Sequence, residues 1–350
     1  MTDATAVSIR TAVKTHDARV LVVIVNYKTG RLVVDCLASL ESEMAQFPNG
    51  RVAVVDNPSG DDSVAILRAA INERGWHSWV TLIRAPVNGG FSYGNNQAIR
   101  PALASSTPPD FVWILNPDTV VKPGAVRGLV DFMIENPRVG IAGSSIEEAN
   151  GEVWPYGFRF PNFFSEVAQG LRVAAVTRLL KKYAVLVTLS DVPERIDWLP
   201  GASMMVRRSV FETVGLMDEE YFLYYEETDF CLKAARAGFE CWYVPQSRVM
   251  HIAGQSTGVT NKKDIAVRLP DYWFESRTRY FLKNHGRLYG AVTDAVGAAA
   301  YALSRVRRRL GNQPDTDPPH YLRDFLRHSA LLISEPPRNN RTKDPKGVRE

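Results

Sequence analysis

The apolar positions change their period along the chain. Residues 19–27, RVLVVIVNY, are continuously apolar and β-branched up to a polar end. Such a run predicts a strand buried on both faces. Leu32, Val33, Cys36, Leu37 and Leu40 then recur at helical spacing. Residues 52–55 predict a second strand, stopped by the turn residues Asp56, Asn57, Pro58, Ser59 and Gly60. A helix over 64–71, strands over 80–83 and 111–115 (FVWIL), a helix over 126–134 after Pro123, and a strand over 139–142 follow. Strand alternating with helix predicts an α/β fold, with a mostly parallel central sheet and helices on both faces.

The second half is less regular. Residues 151–195 open with Trp154, Tyr156, Phe158, Phe160, Phe163 and Phe164 and become basic later. Residues 198–206 predict a strand and 209–214 a short helix. Residues 226–237 predict a helix, with acidic residues in its first turn and Gly238 behind it. Residues 242–244 and 248–251 read as two short extended pieces, and 288–310 as a long, weakly apolar helix. Prolines multiply from Gly311, which predicts loose structure. The organisation expected is a flexible start (1–18), a main domain (19–260, its halves divided after 118), a helical region (261–310) and a Pro/Arg-rich tail (311–350).

Composition adds little to this pattern. The chain has 350 residues, 45% hydrophobic and 23% charged, which is ordinary for a globular protein. Cys36, Cys231 and Cys241 are odd in number and sit in mostly apolar contexts. That argues against a disulfide framework and for a reducing, cytoplasmic setting. The first 19 residues are polar and mixed in charge, unlike a secretory signal. No apolar run reaches the roughly 18 residues of a spanning helix.

Charge changes the picture more. The net charge is +4, yet from Tyr301 onward 11 Lys and Arg face 6 Asp and Glu. The surplus is densest at Arg305, Arg307, Arg308 and Arg309. This cluster suits an anionic membrane surface, at the inner face of the plasma membrane, or a phosphate-rich partner; a solvated, partly disordered tail fits equally well. The helix over 288–310 reads either as lying on a membrane or as packing on the core. No motif points to a nucleic acid.

In parallel sheets ligands bind outside the carboxyl ends of the strands. That rule selects Asn26, residues 56–61, residues 88–96 and residues 116–118. Asn116-Pro117-Asp118 follows the strand FVWIL, where a carboxylate can hold Mg2+ or Mn2+ against diphosphate oxygens; it is also common turn chemistry. Glu226, Glu227 and Asp229 open a helix behind Tyr221, Phe222, Tyr224 and Tyr225. Carboxylates beside aromatic walls have raised pKa values, as a general base needs. His251, one helix and one strand further on, can return to the same cleft as a metal ligand beside Asp118. The glycines of residues 88–96 (NGGFSYGNN) let backbone approach a ligand closely. A G-x-G-x-x-G fingerprint and a phosphate-binding P-loop are both absent, which weighs against a dehydrogenase and an ATPase.

Six stretches together resemble the family 2 glycosyltransferases of GT-A fold, in particular the bacterial rhamnosyltransferase-type members. They are VVIVNYKTG, AVVDNPSGDDS, NGGFSYGNNQAI, WILNPDTVV, WLPGASMMVRRSVFETVGLMDEEYF and YYEETDFCLKAARAGFECWYVPQSRVMH, in family order. The resemblance implies a nucleotide-binding half over 19–118, an acceptor and catalytic half over 119–260, and a C-terminal helical extension. It places Val25, Asn26, Asp56, Asn88, Gly90, Phe91, Asn95 and Asn116 around the nucleotide. Asn116-Pro117-Asp118 stands where the family has its Asp-x-Asp metal motif, so Asp118, with His251, is the implied metal ligand. Glu226-Glu227 stands where relatives have Glu-Asp, which implies Glu227 as base, with Glu226 and Asp229 beside it. The implied partners are a dTDP- or UDP-sugar donor and a glycan or lipid-linked glycan acceptor. Two rivals remain, a nucleotidyltransferase and an inactive sugar-binding protein.

Overall fold

Alternation along the strands decides how the helices are shared between two faces, because successive side chains of a strand point to opposite sides. The computed structural model describes residues 15–148, 150–252, 267–314 and 317–340. The chain runs β1 (Val20–Asn26), α1 (Gly30–Ala45), β2 (Arg51–Asp56), α2 (Ser63–Arg74), β3 (Val80–Arg84), α3 (Phe91–Leu103), β4 (Phe111–Leu115) and β5 (Thr119–Val121). It continues through α4 (Ala125–Glu135), β6 (Val139–Glu147), β7 (Tyr156–Phe158), α5 (Phe163–Leu171), α6 (Ala174–Leu179), β8 (Leu186–Thr188), β9 (Glu194–Ile196) and β10 (Ser203–Arg207). It closes with α7 (Arg208–Val214), α8 (Glu226–Arg236), β11 (Glu240–His251), α9 (Asp271–His285), α10 (Arg287–Leu310) and α11 (Tyr321–Arg327).

The main sheet has the order β3-β2-β1-β4-β10-β6-β11-β5, with β9 paired to β11. Strands β3, β2, β1, β4, β6 and β11 run one way, while β10, β5 and β9 run against them. Val20, Val22 and Ile24 face α1, α2 and α4. Leu21 and Val23 face α3, α7 and α8. The chain leaves β1 toward β2 and β3, then returns to β4 on the other side of β1. That reversal opens a crevice at the carboxyl ends of β1 and β4, where α/β sheets take their ligands.

Several elements depart from the sequence expectation. Residues 198–202 are a loop, and the strand expected over 198–206 starts only at Ser203. The two extended pieces near 242–251 are one strand, β11, with register shifts at Glu240/Cys241 and Val244/Arg248. Pro245 lies in the second shift, and a proline cannot donate to a ladder. In the segment expected to be flexible, Thr15–Asp17 form a helical turn and Ala18 is buried; residues 1–14 lie outside the described residues. The tail is not loose throughout: α11 forms, and Asp324, Phe325, Ser329, Ala330 and Asn339 are buried. Cys36, Cys231 and Cys241 are buried free thiols.

The tail folds back because a buried ion cluster holds it. Arg277 on α9 donates to Asp294 on α10 at 2.6 Å and to Glu166 on α5 at 2.5 Å. The second oxygen of Asp294 accepts the Ala330 backbone N–H at 2.6 Å. Removing one partner from such a cluster leaves uncompensated charge inside. Arg277→Ala is therefore expected to lose about 3–5 kcal/mol of unfolding free energy, read by urea denaturation. A loss under about 1 kcal/mol would mean that the cluster does not hold the helices.

Candidate active site

The crevice is lined from β1 and β2 first. Asn26, at the end of β1, donates Nδ2–H to Asp56 Oδ1 at 2.7 Å. Its own Oδ1 accepts from the Thr29 N–H at 3.2 Å and the Thr29 hydroxyl at 2.9 Å. Both partners of the pair are buried. Burial raises the Asp56 carboxyl above its ordinary range, and the Asn26 hydrogen bond partly opposes this. Val25 is not itself exposed in the crevice; it supports the start of α3, where a Cβ on Gly94 would stand 2.7 Å from its Cγ1.

The Gly-rich loop before α3 is pinned from both ends. Asn88 Oδ1 accepts the Gly90 N–H at 3.2 Å, and Asn57 Nδ2 donates to the Gly90 carbonyl at 3.1 Å. Gly90 has φ +90°, and a Cβ there would lie 1.9 Å from the Phe222 carbonyl oxygen. The Phe91 N–H donates to that same oxygen at 2.9 Å. Asn95 turns inward, donating to the Phe91 carbonyl at 2.9 Å. Asn339 in the tail donates to the Gly89 carbonyl at 2.9 Å and the Glu219 carbonyl at 3.0 Å. No local pattern signals this last contact, which spans most of the chain.

Asp118 and His251 meet because β5 and β11 are antiparallel neighbours with Thr119 opposite His251. Asp118 Oδ1 lies 3.2 Å from His251 Nε2, and Asn116 Nδ2 lies 3.3 Å from the same nitrogen. Asp118 is buried and His251 half-buried. Among the described residues no three His, Cys, Asp or Glu side chains gather as a closed metal cluster. Asp118 and His251 are thus an open pair.

Glu226 and Glu227 begin α8, after two residues in the left-handed region, Tyr224 at φ +70° and Tyr225 at φ +65°. Each such residue costs roughly 1–2 kcal/mol. Successive helix positions differ by about 100°, so the two side chains leave α8 in different directions. Glu227 Oε1 accepts the Gly201 N–H at 2.9 Å. Glu226 is buried, and its Oε2 has no hydrogen-bond partner among the described residues. Desolvation raises both carboxyls; the neighbouring Glu227 charge lifts Glu226 further, whereas backbone N–H groups restrain Glu227.

Residues 200–202 join these parts. The Asn116 N–H reaches the Ala202 carbonyl at 3.4 Å, one residue beyond the Gly201–Glu227 contact. A Cβ on Gly201 would stand 2.5 Å from Phe91 Cζ and 3.0 Å from Glu227 Oε1. The glycine therefore lets the Phe91 loop and Glu227 close from one side, while Asn116 joins from the other. Sequence reading missed it by assigning the segment to a strand. Pro200-Gly201 is a turn signal that would have found it.

Asp229 leaves the site. It points to the opposite side of α8, bonding Lys283 Nζ and Asn284 Nδ2, each at 2.7 Å. The expectation of a catalytic Asp229 is corrected by this ion pair, in which the carboxylate anchors α8 to α9.

The family model for "Glycosyltransferase like family 2" matches residues 17–266. The chain belongs to that family. It is 30% identical over 244 residues to an N-acetylglucosaminyl-diphospho-decaprenol L-rhamnosyltransferase of Mycobacterium tuberculosis, covering 68% of this chain and 77% of that protein. The solved mannosyltransferase PcManGT from Pyrobaculum calidifontis, in complex with GDP-Man and Mn2+, superposes with a TM-score of 0.52 at 16% identity, covering 85% of this chain and 76% of that one. GalNAc-T7 with UDP, GalNAc and Mn2+ gives a TM-score of 0.56 at 14% identity, covering 89% and 58%. The fold is GT-A, and the family 2 chain is a glycosyltransferase of rhamnosyltransferase-like kind.

The Gly90–Phe222 approach has a direct consequence. Gly90→Ala combines a left-handed backbone with a collision against a carbonyl oxygen, and is expected to cost at least about 2 kcal/mol. Urea denaturation reads this, and a variant as stable as the parent would mean that the loop does not sit against Phe222.

Proposed function

We propose that this glycosyltransferase moves a sugar from a nucleoside diphosphate to a hydroxyl of a glycan or lipid-linked glycan, in one displacement that inverts the anomeric centre. The observation that carries the reading is the Gly201–Glu227 hydrogen bond beside the Asn116, Asp118 and His251 cluster. It supports the reading because residues 201–202 link a carboxylate of raised pKa to Asn116, which itself contacts His251. The favoured donor is dTDP-rhamnose, in line with the rhamnosyltransferase relative; a UDP-sugar is the alternative. A lipid-linked acceptor, of the kind that relative's name describes, would set the enzyme at the cytoplasmic face of a membrane.

Glu227 accepts the acceptor hydroxyl proton while that oxygen bonds to the anomeric carbon. The carbon–oxygen bond to the diphosphate breaks with its electrons on the departing phosphate. Gly201 N–H holds one Glu227 oxygen, which orients the carboxylate toward the acceptor. Asn26 and Asp56 form a polar floor for the nucleoside, and the 88–91 loop closes over it. Asp118 and His251, a carboxylate oxygen and an imidazole nitrogen 3.2 Å apart, would hold Mg2+ or Mn2+, cations that such donor types suit. When bound there, the ion neutralises charge developing on the diphosphate.

Four outcomes test this reading. Glu227→Gln is expected to lower kcat by about 10²–10⁴ while the donor dissociation constant stays within about threefold; parental turnover would remove Glu227 from the role. Because burial raises the Glu227 pKa, the base is protonated, and the rate falls, as pH drops through a value above the ordinary glutamate range. A kcat/KM profile still flat below that range contradicts this. In Asp118→Ala, donor titrations with and without Mn2+ should coincide; an undiminished Mn2+ effect would exclude Asp118 as ligand. Release of pyrophosphate instead of nucleoside diphosphate would favour nucleotidyl transfer.

A further inference from the structure

Helix α10 is inside out. Its buried positions are Gly290, Thr293, Asp294, Gly297, Ala300, Tyr301, Ser304 and Arg308, which are small or polar apart from Tyr301. Asp294 is inside because it pairs with Arg277, and Arg308 because it pairs with Asp317. Leu288, Val292, Leu303, Val306 and Leu310 face outward, with Leu288 80% and Leu310 84% exposed. Ala295 and Ala299 fill the gap between them and are exposed as well. The spacing, four or three residues at each step, keeps these side chains on one face. At about 1.5 Å per residue the stripe is roughly 33 Å long. A folded surface rarely leaves so long an apolar line open to water.

The charges around the stripe indicate what covers it. Arg307 and Arg309 are exposed beside Val306 and Leu310. Arg307 also bonds the Arg172 carbonyl at 3.0 Å, which ties this end of α10 to the start of α6. There Arg178, Lys181 and Lys182 are exposed around Leu179, itself 79% exposed. Residues 172–183 contain no acid, and Asp294 is the single acid of α10. An apolar stripe flanked by cations and free of exposed acids is the pattern of a helix lying in a lipid interface. No helix of the described residues is long and apolar enough to cross a bilayer.

We infer that the outward face of α10 docks this enzyme on an anionic phospholipid surface, with Leu303, Val306 and Leu310 entering the acyl boundary and the arginines meeting headgroups. The inference goes beyond the transfer reaction and does not depend on it.

The test is flotation of the full chain with phosphatidylcholine vesicles, with and without phosphatidylglycerol, for the parent and for Leu303→Glu/Val306→Glu. The parent should float with the anionic vesicles only, less so at high salt. The double variant should bind at least about tenfold more weakly, with donor hydrolysis within about twofold of the parent because neither residue touches the site. A parent that stays in the soluble fraction overturns the proposal. So does equal flotation of parent and variant. A parent that leaves vesicles alone but runs as a dimer, split by the same substitutions, assigns the stripe to a second copy instead. A chain that floats but releases no nucleoside diphosphate leaves docking intact and counts against the transferase reading alone.

Discussion

One backbone N–H, that of Gly201, organises the centre of this protein. It donates to Glu227 at 2.9 Å, and the next residue's carbonyl lies 3.4 Å from the Asn116 N–H. Adjacent Cα atoms are about 3.8 Å apart, so the first turn of α8 and the polar end of β4 are drawn together within a single residue's reach. The absence of a side chain at 201 is a steric condition of this arrangement, because Phe91 and Glu227 already occupy the space. Phe91, Asn116 and Glu227 belong to three separate parts of the chain, and this turn is where they come together.

The site is costly to maintain, and the surrounding structure carries that cost. Two tyrosines in left-handed conformation precede α8, and Glu226 is buried with an oxygen that no described residue satisfies. Such strain persists only where neighbours over-determine it. Here α8 is clamped from behind by Asp229 with Lys283 and Asn284. Lys283 also joins Asp218 at 2.6 Å, as does Arg279 at 2.8 Å. The C-terminal helices are thus structural support for the site. The tail completes this support by reaching Gly89 through Asn339.

The parallel half of the sheet was legible because its strands are buried on both faces and read as unbroken apolar runs. The polar residues at their ends, Asn26, Asp56 and Asn116 among them, stood out against those runs. What escaped was of two kinds. Short elements such as β5 and β9 carry too few residues for any period. Contacts such as Asn339 to Gly89 depend on chain reversals that leave no local trace. Asp229 shows the converse error: three acids at one helix start looked alike in sequence, and only the helix's rotation separates the one tied to Gly201 from the one tied to Lys283. The outward stripe of α10 was half visible. Its apolar spacing could be read, but which face it turned to water could not, because buried Asp294 and Arg308 follow their partners and not hydropathy.

The most direct measurement of the central claim is made on Gly201→Ala, first shown to be folded by circular dichroism and its thermal transition. In that variant donor affinity and kcat should fall together, because the added methyl meets both Phe91 and Glu227, the residues proposed to face the donor and to act as base. A folded Gly201→Ala protein with parental donor affinity and parental turnover would contradict the account.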